Sequence, residues 1–202
     1  MNPAVAHYDR NAEHLAARYD SLRFEAVHGS LLPFLPTPPA RVLDIGSGSG
    51  RDAIAFAEKG FSVTAIEPAA DMLRLARISA GDLEIEWIDD RLPTLGSLAG
   101  RDGSFAFILC SAVLMHLSKP DLPRAFATMR SLLAPRGVLG LTVRDAWADD
   151  APNLFHGHST EILVAAAAQA GLTTVLSVLD DDHLERPGLI WRTIAFARDR
   201  NR

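Results

Sequence analysis

The sequence has one cysteine, Cys110, so no disulfide can close within the chain and no site built on several thiolates can form. A reducing, cytoplasmic setting is the expectation. Cations are not in excess either: 20 Lys and Arg stand against 25 Asp and Glu, a formal net charge of -5. A protein that follows a nucleic-acid backbone needs clustered basic side chains to neutralise phosphates, so no nucleic-acid partner is expected. The C-terminal arginines, Arg198, Arg200 and Arg202, have Asp199 among them and read as a solvated tail. The first ten residues have neither a basic stretch nor an apolar core, which argues against a secretory signal. One run, Ile162 to Leu179, carries no charge, but Gln169, Gly171, Thr173, Thr174 and Ser177 interrupt it. It reads as helix, cap and buried strand rather than a membrane span. Hydrolytic and phosphate-binding signatures are also missing: there is no Ser/His/Asp pattern and no Gly-x-x-x-x-Gly-Lys loop. His156 and His158 flank Gly157 without further ligands nearby, so no metal is expected.

What is present fits one domain over residues 1–202, since 48% of 202 residues are hydrophobic and can fill an ample core. Pro33, Pro36, Pro38 and Pro39 separate a leader, residues 1–36, from a body, residues 41–202. Within residues 11–32, Leu15, Tyr19, Leu22 and Ala26 recur at helical spacing and predict one or two amphipathic helices packed on the body as a lid.

From Arg41 onward short apolar runs alternate with amphipathic stretches, the pattern of a doubly wound α/β sheet. Strands are expected at Arg41–Ile45, Ser62–Ile66, Glu84–Ile88, Phe105–Ser111, Val138–Val143, Thr173–Leu179 and Leu189–Ala197. Helices are expected at Arg51–Lys59, Ala69–Ser79, Asp121–Leu133 and Thr160–Ala170, with Gly137 in a turn ahead of its strand. The last two strands have no helix between them, so they form an antiparallel hairpin on an otherwise mostly parallel, seven-stranded sheet.

The first βα turn reads Asp44-Ile45-Gly46-Ser47-Gly48-Ser49-Gly50-Arg51-Asp52. Alternating glycines let a backbone turn sharply with a ligand against it. The dinucleotide fingerprint Gly-x-Gly-x-x-Gly needs a glycine where Arg51 stands, which disfavours pyrophosphate. Glu67, 17 residues past Gly50, ends the next strand beside this loop, where a carboxylate can accept from both hydroxyls of a ribose.

Five segments in order are similar to the class I S-adenosylmethionine-dependent methyltransferases: Val42 to Gly50, Val63 to Pro68, Asp89-Asp90-Arg91-Leu92-Pro93, Phe107 to Leu117, and Leu133-Ala134-Pro135-Arg136-Gly137. The likeness runs from Tyr8 to the last strand, and Arg136 departs from it where a glycine is usual. It implies a Rossmann-like fold with S-adenosylmethionine as cofactor. Gly46, Ser47, Gly48 and Gly50 would pass beneath its methionine and ribose, Asp44, Arg51 and Asp52 would flank that loop, and Glu67 with Pro68 would meet the ribose. Asp89 or Asp90, with a slight preference for Asp90, would accept from the adenine amino group, and the backbone of Arg91 would meet a ring nitrogen. Met72 is either a soft wall for adenine or core. Tyr19, and with less support Tyr8, either closes the pocket or packs on the sheet.

Ser111, Ala112 and Val113 end the fourth strand, at the edge where open α/β sheets bind ligands. A sulfonium methyl is already activated, so the protein mainly aligns reactants and, for a hydroxyl or amine acceptor, supplies a base. His116 is the candidate base, or else orients its loop. Arg144 and Asp145 either recognise the acceptor or pair at the surface, and Trp191 and Arg192 cap the sheet edge. The expected activity is methyl transfer to oxygen or nitrogen of a small molecule. A non-catalytic module binding the same cofactor, or a nicotinamide dinucleotide protein, are the alternatives.

Overall fold

A computed structural model describes residues 2–144, 154–184, 186 and 188–198. Seven strands form one sheet in the order β3-β2-β1-β4-β5-β7-β6. They are β1 (Arg41–Ile45), β2 (Ser62–Ile66), β3 (Ile85–Ile88), β4 (Phe105–Ser111), β5 (Leu133–Arg144), β6 (Leu172–Asp180) and β7 (Trp191–Arg198). β1 to β5 pair in parallel, and β7 lies antiparallel between β5 and β6. The sheet is therefore mostly parallel with an antiparallel C-terminal pair, as its sequence pattern predicts.

Helices α4 (Arg51–Glu58), α5 (Ala70–Ala80), α6 (Leu122–Leu132) and α7 (Thr160–Gln169) follow their strands and cover the faces. The central strands are apolar on both sides because both sides are covered. Val42, Leu43 and Ile45 of β1 and Phe107, Ile108 and Leu109 of β4 are all at most 1% exposed. One core cluster joins β1, β4 and β5 to α6 and α7 through residues such as Phe126, Met129 and Phe196. A second, around Phe24, Phe56 and Phe107, fills the opposite face with rings packed edge to face.

The helices expected within residues 11–32 are α2 (Ala12–Asp20) and α3 (Phe24–His28), followed by a 3-10 helix at Gly29–Phe34, and an unpredicted helix, α1 (Pro3–Arg10), precedes them. α1 begins where Asn2 caps Ala4 N–H at 2.9 Å and Pro3 opens the first turn, a start signal visible in the Asn-Pro pair. The buried stripe of α2 is Ala12 and Ala16, which lie against Ala69 and Met72, while Leu15 and Tyr19 are half-buried beside them. Small residues let α2 sit close to α5, so the larger side chains flank the contact instead of filling it.

Three expectations are corrected. The Ala134-Pro135-Arg136-Gly137 turn lies inside β5, which starts at Leu133 because that residue pairs with Phe105 before the register shifts. Arg136 takes the positive φ of 67° there. β6 is not buried: it pairs with β7 alone, and Val175 and Leu179 are exposed. Arg198 is also more than solvated tail, since its guanidinium bonds the Leu133 carbonyl, while Arg200 and Arg202 lie outside the described residues. No helix among the described residues is long and apolar enough to cross a membrane.

Candidate active site

The carboxyl ends of the parallel strands open on a cavity of about 260 Å³, near the lower end of the size of small-molecule sites. One half of its wall comes from the glycine loop between β1 and α4. Gly46 and Ser47 donate to the Ile66 carbonyl at 2.8 and 2.9 Å, which ties the loop to the end of β2. Gly46 has φ +71°, and a Cβ there would stand 2.3 Å from Val113 Cγ2, so only glycine lets the end of β4 pass over it. At Gly48 the opposite holds: its φ is +55° and a Cβ would meet nothing within 4 Å, so bare backbone faces the open cavity. Gly50 packs against Ala76 and Trp87 and does not reach the cavity wall.

Glu67 is 6% exposed and its carboxylate accepts from Gly48 N–H at 2.8 Å and Ala69 N–H at 2.7 Å. The strand-end acid and the loop are thus bonded to each other. Two such bonds leave lone pairs free for a ligand's donors. Burial pushes the Glu67 carboxyl up to about 7, against the pull of those two backbone bonds, and the carboxylates of Asp9 and Asp89 push it the same way.

Under the loop lies a buried charge cluster. Arg51 grips Asp52 through Nε at 2.7 Å and through a second nitrogen at 2.8 Å, and His28 Nε2 meets Asp52 Oδ2 at 2.9 Å. Burial alone would raise the Asp52 carboxyl, but His28 and Arg51 hold it well below the usual range. Arg51 and Asp52 reach the cavity wall, whereas Asp44 sits beneath and does not. Burial, with the Asp52 charge beside it, raises the Asp44 carboxyl. Ser47 Oγ, on the cavity wall, is a buried polar atom with no hydrogen-bond partner, the kind of gap that a bound ligand fills, while the equally partnerless Asp44 Oδ2 lies beneath the wall.

Farther along, Pro68, Asp90, Arg91 and Leu92 line the cavity. Asp90 spends its carboxylate on its own turn, accepting from Arg91 N–H at 2.7 Å and from Ser97 N–H and Oγ at 2.8 and 2.6 Å. The Arg91 N–H expected to meet a ring nitrogen therefore points to Asp90. Asp89 is exposed and absent from the wall, and Met72 is fully buried against α2 as core. Local spacing does not reveal that a carboxylate is already engaged seven residues away.

The other half of the wall gathers distant segments. Ser111 Oγ and Thr142 Oγ1 are 2.7 Å apart, and Ala112, held at φ 58°, donates its N–H to the Thr142 carbonyl at 2.9 Å. Left-handed backbone costs an alanine about 1–2 kcal/mol, so the bonds to Thr142 hold the end of β4 in a bent form. His116 follows in a short 3-10 turn, Leu114–His116, its Nδ1 2.9 Å from the Leu154 carbonyl and its Nε2 3.1 Å from the Tyr8 hydroxyl. Burial lowers the His116 imidazole, and the Arg144, His7 and His156 charges add to that, against the Leu154 bond.

Tyr8 and Tyr19 both line the cavity. Arg144 is 6% exposed in the wall with its guanidinium 4.1 Å from the centre of the Phe155 ring, so it is not a surface residue. Asp145 lies outside the described residues. His158 Nε2 bonds the Leu117 carbonyl at 2.9 Å, and no group of three metal-ligating side chains occurs among the described residues.

Sequence reasoning missed the β6–β7 connection. Asp182 accepts from Trp191 Nε1 at 2.8 Å and pairs with Arg186, and all three line the cavity, whereas Trp191 had been expected to cap the sheet edge. A signal existed: β6 runs parallel to β1, so whatever follows it emerges at the same ligand-binding edge.

Residues 42–137 match the family described as methyltransferase domain. The ubiquinone biosynthesis O-methyltransferase of Xanthomonas campestris is 36% identical over 106 residues, 52% of this chain and 43% of that protein. The chain thus spans less than half the length of these relatives. A methyltransferase from Methanosarcina mazei superposes with a TM-score of 0.72 at 18% identity, covering 88% of this chain and 99% of that one. The 1,6-didemethyltoxoflavin-N1-methyltransferase of Burkholderia thailandensis, solved with bound 1,6-didemethyltoxoflavin and S-adenosylhomocysteine, gives a TM-score of 0.71 at 20% identity over 96% of this chain and 87% of that one.

Proposed function

We propose that this chain, whose residues 42–137 match the methyltransferase-domain family, uses S-adenosylmethionine to methylate an oxygen or nitrogen of a small molecule. The observation that carries the reading is the half of the cavity around Glu67. A buried carboxylate there is bonded to a glycine loop whose open backbone face and partnerless Ser47 Oγ leave room and need for a polar ligand. Glu67 accepts from the ribose diol, and the Gly46–Gly48 backbone lies under the sugar and the methionine. Arg51, at the wall between Asp52 and the cavity, supplies the cation for a carboxylate. The cofactor fits these groups and, when bound, supplies an activated methyl. The protein's own work is then alignment and removal of a proton.

The acceptor lies toward His116, Arg144 and Phe155, under a lid formed by α1 to α3. A relative that methylates oxygen and a structural neighbour that methylates a ring nitrogen both act on small molecules by their names, which supports that class of acceptor. The buried Cys110 thiol and the acidic balance agree with a cytoplasmic enzyme without a nucleic-acid partner.

Calorimetry with S-adenosylhomocysteine and with NADH, followed by transfer of a labelled methyl group to phenols, carboxylic acids and amines, tests this. Homocysteine-nucleoside binding with turnover supports it. Binding of NADH alone refutes it, and tight binding with no turnover on any acceptor turns the enzyme into a binding module.

A further inference from the structure

We infer that Tyr8 is the residue that faces the acceptor hydroxyl, relaying its proton to His116. This deepens the proposed methyl transfer and rests on it. The tautomer of His116 follows from its partners: the Leu154 carbonyl can only accept, so Nδ1 carries the hydrogen, and Nε2 is bare and accepts from the Tyr8 hydroxyl at 3.1 Å. Nε2 is thus occupied, and an acceptor cannot reach the imidazole without displacing the phenol. Tyr8 lines the cavity itself. Burial first, then the Tyr19 hydroxyl beside it, push the Tyr8 phenol well above its usual range, and the charges of Glu67 and Arg144 on the same cavity wall act on it as well.

The position of the phenol is fixed. α1 is capped by Asn2, and Asp9, next to Tyr8, accepts from Asp71 N–H at 3.0 Å in the first turn of α5. The Tyr8 and His116 rings meet edge to face at 5.4 Å, and Phe155 packs against the imidazole with ring centres 4.8 Å apart. Tyr8 also precedes the stretch matched by the family, residues 42–137.

As the acceptor oxygen gains its methyl, its proton passes to Tyr8 Oη while the Tyr8 proton passes to His116 Nε2. The electron pair of the broken O–H bond stays on the acceptor oxygen, and the pair of the broken carbon–sulfur bond stays on sulfur. The phenol is neutral before and after, as its burial requires, and an imidazolium remains with Nδ1–H on Leu154. The groups facing that imidazolium are Tyr8 and His7 of α1, Arg144 of β5 and His156 of the following loop. A relay of this kind suits a hydroxyl of phenol-like acidity, and a carboxylate acceptor has no proton to give.

Two measurements test the inference. In the free protein, nitrogen shifts of His116 report Nδ1–H with a bare, hydrogen-bonded Nε2 in the wild type and a changed Nε2 signal in Tyr8→Phe; an Nε2–H tautomer in the wild type overturns the relay. In turnover on a phenol, Tyr8→Phe lowers kcat by about 100-fold, the lower end of general-base effects, with S-adenosylhomocysteine affinity unchanged within about twofold. His116→Gln behaves alike, and the double variant is no worse than either single one. Tyr8→Phe turning over phenols at the wild-type rate, while wild type is active, sinks the relay and leaves the methyltransferase reading intact. No product from wild type with any acceptor overturns that reading and the relay with it.

Discussion

The two halves of the cavity are built in different ways. The half proposed for the cofactor uses the ends of adjacent parallel strands: Gly46, Gly48 and Glu67 lie within one βαβ unit, bonded backbone to backbone and backbone to carboxylate. The half proposed for the acceptor takes Tyr8 from α1, His116 after β4, Arg144 from β5, Phe155 from a loop and Trp191 from β7. These are joined by side-chain contacts, such as the Tyr8–His116 bond across 108 residues and the Arg144–Phe155 stack. A sheet edge fixes geometry by topology, whereas a set of converging side chains can be re-cut one residue at a time. Such a division lets one half hold a constant donor while the other adapts to its acceptor.

Removing the keystone of the rigid half has the largest expected effect. Glu67→Ala strips the acceptor from the Gly48 and Ala69 N–H groups as well as from the ribose. An unsatisfied buried donor costs about 1–3 kcal/mol and both ribose hydroxyls lose their acceptor, so affinity for S-adenosylhomocysteine falls by roughly 100- to 1,000-fold in calorimetry. A loss under tenfold breaks the claim that this half turns on Glu67. Next in size is Gly46→Ala, whose Cβ collides with Val113 Cγ2. Overpacking of this kind costs about 1–3 kcal/mol and shifts the loop, so melting temperature and affinity fall together. Adding Val113→Ala restores most of both and leaves the strain of the left-handed backbone. No rescue would place the fault elsewhere than at the β4 crossing.

The same contrast explains what was legible in the sequence. The strands, the glycine loop and the place of Glu67 beside it follow from local spacing because parallel topology forces a strand end beside the preceding βα turn. The adenine-side details are less legible. Asp90 matches the pattern of a ligand acceptor, yet its oxygens are taken by Arg91 and Ser97, and Met72 has the right helix but the wrong face. In the acceptor half, His116 is recognisable as a titratable residue past a strand. Its partners Tyr8, Leu154 and Phe155 are tertiary neighbours that no spacing announces. Trp191 and Asp182 could have been placed by asking which edge β6 reaches.

Charge on Glu67 gives a pH test of the rigid half. Its carboxyl in the unliganded protein is raised to about 7, so the proton-bound form prevails below that pH. Ribose hydroxyls donate to the carboxylate form, so binding expels the proton and affinity falls as pH drops. Each pH unit below 7 is expected to weaken S-adenosylhomocysteine binding by up to about tenfold, with a plateau above about pH 8. Glu67→Gln should bind weakly without that slope. A flat profile in the wild type between pH 5.5 and 8 contradicts the assignment.

The smallest effect is expected in the adaptable half, from Phe155→Leu. The substitution keeps apolar bulk but removes the ring face under the Arg144 guanidinium at 4.1 Å and the contact with His116 at 4.8 Å. A desolvated cation–π contact is worth about 1–2 kcal/mol, part of which the leucine recovers by burial. Acceptor KM should therefore rise by about 3- to 10-fold, tenfold being equivalent to 1.4 kcal/mol. Affinity for S-adenosylhomocysteine should stay within about twofold, because the described partners of Glu67, Gly48 and Ala69, are not those of Phe155, His116 and Arg144. If the two affinities fall together, the halves are coupled through Tyr8, whose phenol senses both Glu67 and Arg144, and the division between a fixed donor site and an adaptable acceptor site has to be redrawn with α1 as part of both.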